Sequence, residues 1–190
     1  MKNRFNIKTF GVFFSVVLLL FCSIVYAENI DPDNDDSKYS YGENVGWINA
    51  EPLKDGGPGV EVGDSALTGY MWGENIGWIN LSPIDYGGVF NDGSGNLFGY
   101  AWGENAGWIS FSCSNSGTCS TVDYGVVIDP VTGEFSGKAW GENIGWITFR
   151  STGAVSYGIT TSWGEDSDGD NDGNASRSGG CFINTTAYGF

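Results

Sequence analysis

Between Tyr39 and Phe149 the apolar and polar positions recur in one block, Trp-Gly-Glu-Asn-x-Gly-Trp-Ile, at 72–79, 102–109 and 140–147, with Tyr41 replacing the first Trp at 41–48. The second aromatic of each copy (Trp47, Trp78, Trp108, Trp146) follows its predecessor by 31, 30 and 38 residues. A period of this length marks a repeat architecture. On both sides of Gly-Glu-Asn-x-Gly the residues alternate with period two, which predicts two strands joined by a five-residue loop. Asn and Gly tolerate left-handed backbone, so Asn75, Gly77 and their equivalents are expected to adopt it there. Closing the loop sets Trp72 opposite Trp78, Trp102 opposite Trp108, Trp140 opposite Trp146 and Tyr41 opposite Trp47. The other face carries Met71, Ala101 or Ala139 beside Ile79, Ile109 or Ile147, then Leu81, Phe111 or Phe149.

A further strand precedes each hairpin. In the last unit it is Val126–Ile128, followed by the turn Asp129-Pro130-Val131-Thr132-Gly133, where Pro fixes φ and Gly permits positive φ. Glu134–Trp140 and Gly145–Phe149 complete that unit, and Val60–Val62 with Leu67–Trp72, and Val89-Phe90 with Leu97–Trp102, match it. The fold class is therefore all-β, with about four tandem three-stranded antiparallel meanders. Two apolar faces per hairpin favour stacking between neighbours, either as a closed propeller-like ring of sheets or as an open β-solenoid. The first copy lacks a leading strand, and Ser156–Thr161 resembles one without a hairpin after it. The expectation is that this C-terminal strand completes the N-terminal unit and closes the ring, so that deleting residues 155–161 unfolds the whole domain.

Composition sharpens the boundaries. Thirty-one Gly, 8 Trp, 9 Tyr and 12 Phe against 16% charged residues suit turns and strands rather than helices. Residues 1–27 read as a signal peptide, with Lys2, Arg4 and Lys8, an apolar run from Gly11 to Phe21, and Val25-Tyr26-Ala27 before the cut. The run is short for a membrane span, so no transmembrane segment is expected in the mature chain. Residues 28–38 read as an acidic linker, 39–162 as the β-repeat domain, 163–180 as an acidic Gly/Asp/Ser-rich tail and 181–190 as a separate C-terminal segment. The chain is expected to be exported to the cell surface or medium, with the periplasm as the other compartment.

The formal charge of −15 becomes about −18 once the three leader cations are removed, which makes nucleic acid and anionic lipid poor partners. Of four cysteines, Cys22 lies in the leader, while Cys113 and Cys119 close a short loop and are expected to form a disulfide in an oxidising compartment. That loop accounts for the long third interval. Cys181 is left without a partner.

Candidate chemistry is sparse. Asp166, Asp168, Asp170 and Asp172, followed by Gly173, form the start of a calcium loop, in which alternating carboxylates wrap a hard cation. Gly179 stands where an EF-hand needs its bidentate Glu, so the segment is either another kind of calcium site or a solvated spacer. Glu43, Glu74, Glu104 and Glu142 recur in the hairpin loops, as turn-formers accepting backbone N–H bonds or as the carboxylates of a glycosidase. Histidine is absent, which excludes triad hydrolysis and His-ligated zinc. No catalytic or cofactor-binding residue is assigned beyond calcium. The Trp and Tyr residues read as core, or as sugar-stacking platforms if exposed.

The repeat, with Asn-Leu, Ser-Phe or Thr-Phe after its Ile, resembles secreted bacterial proteins built on W-[SG]-E-N-x-G-W-I-x-F units, over about residues 39–150. That resemblance implies no activity. Gly179–Gly189, containing Cys181-Phe182-Ile183, is similar to a shortened CFI-box C-terminal segment, which implies sorting or anchoring through Cys181 and a sorting machinery as partner. The leading expectation is an exported non-enzymatic surface or extracellular protein of structural or adhesion type, with a cell-surface polysaccharide or protein partner. A carbohydrate-binding module is the alternative, and an extracellular glycosidase using Glu104 or Glu142 is the third reading.

Overall fold

The structure is a computed structural model that describes residues 29–52 and 59–164. Residues 1–27, read as a signal peptide, the aspartates Asp166, Asp168, Asp170 and Asp172, and Cys181 lie outside the described residues. The first unit contains β1 (Tyr39–Gly42) and β2 (Gly46–Asn49). The second contains β3 (Glu61–Val62), β4 (Ala66–Thr68), β5 (Tyr70–Gly73) and β6 (Gly77–Asn80). The third runs β7 (Gly88–Asn91), β8 (Asn96–Gly103) and β9 (Gly107–Ser110), and the fourth β10 (Val126–Ile128), β11 (Phe135–Gly141) and β12 (Gly145–Thr148). A small hairpin, β13 (Ser151–Thr152) and β14 (Ser156–Tyr157), follows.

Each motif forms its hairpin in the expected register, with Trp72 opposite Trp78, Trp102 opposite Trp108, Trp140 opposite Trp146 and Tyr41 opposite Trp47. The four hairpins then pair edge to edge, β2 with β5, β6 with β8, β9 with β11 and β12 with β1. The result is a closed antiparallel barrel of eight strands. Every junction has one register, in which the motif Ile faces the first Gly of the next motif: Ile48 with Gly73, Ile79 with Gly103, Ile109 with Gly141 and Ile147 with Gly42.

The ring closes, but neither as a propeller nor as a solenoid. Each hairpin turns its aliphatic face, with Ile48, Ile79, Ile109 and Ile147, into the core and its aromatic pair outward, so the sheet curves with the indoles on its convex side. Eight strands give an interior that side chains just fill. They do so here in four layers of four. The loop residues Val45, Ile76, Ala106 and Ile144 plug one end, above Ile48, Ile79, Ile109 and Ile147. Ser40, Met71, Ala101 and Ala139 form the next layer, and Ala50, Leu81, Phe111 and Phe149 the fourth. An apolar interior and strands mostly of four residues are the reverse of a barrel that spans lipid, whose strands need about 9–11 residues and whose lumen is polar. Among the described residues no helix is long and apolar enough to cross a membrane.

The leading strands widen the barrel at the far end. β7 lies between β4 and β8, and β10 between β8 and β11. For the first unit that place is taken by the C-terminal segment. Ile159 is opposite Lys38 and Thr160 opposite Glu134, while Tyr39 N–H donates to Gly158 at 3.0 Å and Phe135 N–H to Ile159 at 2.9 Å.

Residues 29–38, read from composition as part of an acidic linker, are tied down against the barrel. Ile30 is in the core and bridges Thr161, and the Asn29 side chain both donates to and accepts from the Val62 backbone at 2.8 Å. Lys38 is almost buried among Asp31 at 3.3 Å, Asp36 at 3.4 Å and Glu51 at 2.9 Å. The hydrogen bond and charge of Glu51 hold the Lys38 ammonium well above the usual lysine range, with burial opposing. At the other boundary Trp163, read as the first residue of the tail, packs against the core and donates its indole N–H to Asp64 at 2.9 Å.

Candidate functional site: an aromatic groove on the barrel wall

Within the motif the two glycines have different duties. The first is buried beside the loop residue three positions on, and a Cβ on Gly73 would stand 2.5 Å from Ile76 Cγ1. The second supplies the left-handed turn, with φ of 77°, 73°, 75° and 77° at Gly46, Gly77, Gly107 and Gly145. Left-handed backbone was also expected of the motif asparagines, but they do not adopt it. Each instead reaches sideways and donates its amide to the preceding hairpin loop: Asn75 to Val45 at 3.0 Å, Asn105 to Ile76, Asn143 to Ala106 and Asn44 to Ile144, each at 3.2 Å. Four such bonds make a closed ring around the rim.

This fixed frame turns the aromatic pairs outward. Their ring centroids are 4.6–5.1 Å apart in tilted or edge-to-face contact. The expectation that stacking would cover both faces therefore fails on the aromatic side: Trp72, Trp102 and Trp108 are each 39–40% exposed. A tyrosine joins each pair, Tyr70 at 6.1 Å from Trp78, Tyr100 at 6.3 Å from Trp108 and Tyr124 at 5.2 Å from Trp146.

Between the third and fourth hairpins this wall becomes a groove of about 1130 Å³. Tyr100, Trp102 and Trp108 form one flank, and Tyr124, Trp140 and Trp146 the other. Gly107 and Ser110 also line it, and Tyr124 donates its hydroxyl to Ser110 Oγ at 3.0 Å. Ser116 and Thr118 contribute to the lining from the insertion that lengthens this one repeat interval, and Thr121 and Val122 from just after it. Tyr86 and Gly87 contribute too, and Trp108 packs so closely over Gly87 that a Cβ there would be 2.7 Å from its ring.

The insertion is well anchored. Cys113 and Cys119 form the expected disulfide, and Cys113–Asn115 make a short 3-10 turn. The Asn115 side chain accepts from Gly99 N–H at 2.9 Å and donates to Gly99 O at 2.7 Å and to Ser110 Oγ at 2.8 Å. Cys113, Cys119 and Asp123 come within 4.8 Å of one another, but the two sulfurs are spent on each other and offer no thiolate to a metal.

The polar lining is hydroxyl and amide. Glu142 and Asn143 extend it from the fourth loop, Glu142 is the one carboxylate among the lining residues, and no Lys or Arg lines the groove. Glu43, Glu74 and Glu104 are exposed on the other loops and do not line it. The groove was not legible in the sequence as a unit, because its flanks come from separate repeats. Its one signal was the longer third interval. Comparison of the chain with protein-family models, curated proteins and solved structures returns no match.

Proposed function

We propose that this chain is an exported, non-enzymatic β-barrel that binds uncharged polysaccharide in the groove between its third and fourth hairpins. The observation that carries the reading is a groove lined by aromatics of two adjacent hairpins together with hydroxyl, amide and one carboxylate group and no cation. Sugar rings present apolar C–H faces that stack on Trp and Tyr, and hydroxyl edges that bond to Ser, Thr, Asn and Glu. The groove is larger than the usual ~300–1,000 Å³ of a small-molecule pocket, which suits an oligosaccharide stretch rather than a single sugar.

Charge supports a neutral ligand, since a chain near −18 after its leader repels anionic polymers. A glycosidase flanks the scissile bond with two carboxylates, whereas Glu142 alone lines the groove, which favours binding over hydrolysis. The leader and the Cys113–Cys119 disulfide suit an oxidising exterior. In that setting Asp166, Asp168, Asp170 and Asp172 would serve as a calcium-responsive spacer, and Cys181 as part of a sorting end.

Retention on cellulose, chitin, xylan and starch tests the reading. The protein is expected to be retained on at least one of them, and a Trp102→Ala, Trp140→Ala variant to bind on the order of thirtyfold more weakly or worse, as for truncation of a buried aromatic anchor. Absence of retention on all four, or equal retention of the variant, would overturn it.

A further inference from the structure

We infer that the junction between the second and third hairpins is a second, shallower subsite for the same uncharged polysaccharide, so that one glycan chain is gripped at two neighbouring places on the barrel. This rests on the proposed function of the groove.

Five aromatics of the groove, Tyr100, Trp102, Trp108, Trp140 and Trp146, lie in the motif hairpins, and one repeat earlier the same places are filled by the same residue types, whereas Tyr86 and Tyr124 lie outside those hairpins. Trp108 corresponds to Trp78, and the pair Trp140 and Trp146 to Trp102 and Trp108. Glu142 and Asn143 correspond to Glu104 and Asn105. The pairing is equivalent too, with Asn80 opposite Trp102 as Ser110 is opposite Trp140. Tyr70 stands against Trp78 as Tyr100 stands against Trp108, and both Tyr70 and Trp72 keep more than a third of their surface open.

What differs is the border. After β9 the chain makes the disulfide-clasped insertion, while after β6 only Leu81–Gly87 separates the hairpin from β7, so the second junction is a platform rather than a groove. The junction between the fourth and first hairpins is not equivalent: Tyr157 lies 5.2 Å from Trp47 and 6.3 Å from Tyr41, occupying the face that stays open elsewhere, and Lys138 takes the place of the tyrosine.

Trp102 and Trp108 belong to both junctions and form a shared ridge. Adjacent junctions are two strands apart, which at a strand spacing near 4.8 Å and a tilt of about 35–45° is roughly 12 Å around the wall. A glycan of several rings reaches across. Engaging the second site after the first is an intramolecular step, and such coupling multiplies affinity by about 10²–10⁴ in favourable geometry.

The test is calorimetric titration of the full chain with cello-, chito-, xylo- and malto-oligosaccharides from disaccharide to octasaccharide. The wild type is expected to bind the longest member of one series at least about tenfold more tightly than the shortest. A Tyr70→Ala, Trp72→Ala variant should keep the short-ligand affinity and lose the gain with length. Its melting temperature is read alongside, and if it does not fold, Tyr70→Ser alone should reduce the gain. Binding of the same strength at all lengths, or a gain unchanged in the folded variant, overturns the second subsite and leaves the groove standing. Failure of the wild type to bind any oligosaccharide or parent polysaccharide overturns both.

Discussion

At the scale of single residues, the motif places three kinds of side chain under separate demands. Its first Gly makes room inside the barrel, its second Gly turns the loop, and its Asn ties that loop to the neighbour. Replacing Asn75 by Ala should cost about 1 kcal/mol, the usual net worth of one such bond, and chemical denaturation would show it as a lower midpoint with unchanged slope. Ser40 occupies the layer that Met71, Ala101 and Ala139 fill elsewhere, and its buried hydroxyl has no partner. Ser40→Ala should therefore be neutral or raise stability by as much as about 1–3 kcal/mol, and a fall on denaturation would contradict that.

Lys38 is the opposite case, a buried charge with three carboxylate neighbours. Lys38→Met should cost about 3–5 kcal/mol, because it leaves buried carboxylates without a cation. The ammonium is held above its ordinary value of 10.5, so its contribution is complete below that pH and is lost as the pH rises through the higher folded value. Melting curves from neutral to strongly alkaline pH should show the gap between wild type and Lys38→Met closing only at the alkaline end. The turn at the second glycine was legible from the chain alone, and the rest was not. Asn75 reaches a partner one repeat away, and the Asp-rich approach looks solvated until Ile30 is seen in the core.

At the scale of elements, the hairpins were the most readable part. Period-two alternation about Gly-Glu-Asn-x-Gly fixes both strands and their register, although the two glycines pair as strand ends and leave a three-residue loop rather than the expected five. The turn at 129–133 follows its chemistry, with Asp129 accepting from Val131 N–H at 2.8 Å and Gly133 at φ 66°. The segment that fills the first unit's leading place was readable in part from likeness, because Tyr157-Gly158-Ile159 resembles Tyr124-Gly125-Val126. Ser156-Tyr157, however, pair with β13, and the ring itself closes through β12 and β1 rather than through this segment. In the structure Ile159 sits in the core and its backbone bridges the first and fourth units. Ile159→Ala should cost about 2–5 kcal/mol, and deleting residues 155–161 should abolish the single cooperative melting transition. A truncated protein that still melts cooperatively near the wild-type temperature would show that the barrel does not need the segment. The Cys113–Cys119 bond closes a short loop already held by Asn115, so its reduction should lower stability by no more than a few kcal/mol and leave the barrel folded.

At the scale of the whole molecule, sequence pattern implied two apolar faces per hairpin but not which neighbour each face meets. Stacked sheets would have buried the indoles; pairing edge to edge in one curved sheet buries the isoleucines and leaves the indoles on the outside. Closure rests on the one edge-to-edge register that all four junctions share, a property of the four hairpins together. That is why the all-β repeat was legible and the barrel was not. The same step converts the Trp pairs from presumed core into a surface, and the insertion in one interval makes part of that surface concave. Because no Lys or Arg lines the groove, the affinity for glycan should change less than about twofold between low and high salt, which affinity electrophoresis at two ionic strengths would check.

The most direct measurement is intrinsic tryptophan fluorescence during titration with soluble neutral oligosaccharides. A stacked sugar replaces water over Trp102, Trp108, Trp140 and Trp146, so the account predicts a saturable shift in emission that disappears in the Trp102→Ala, Trp140→Ala variant. Emission that stays unchanged with every neutral glycan, or a shift that persists in the variant, would contradict it.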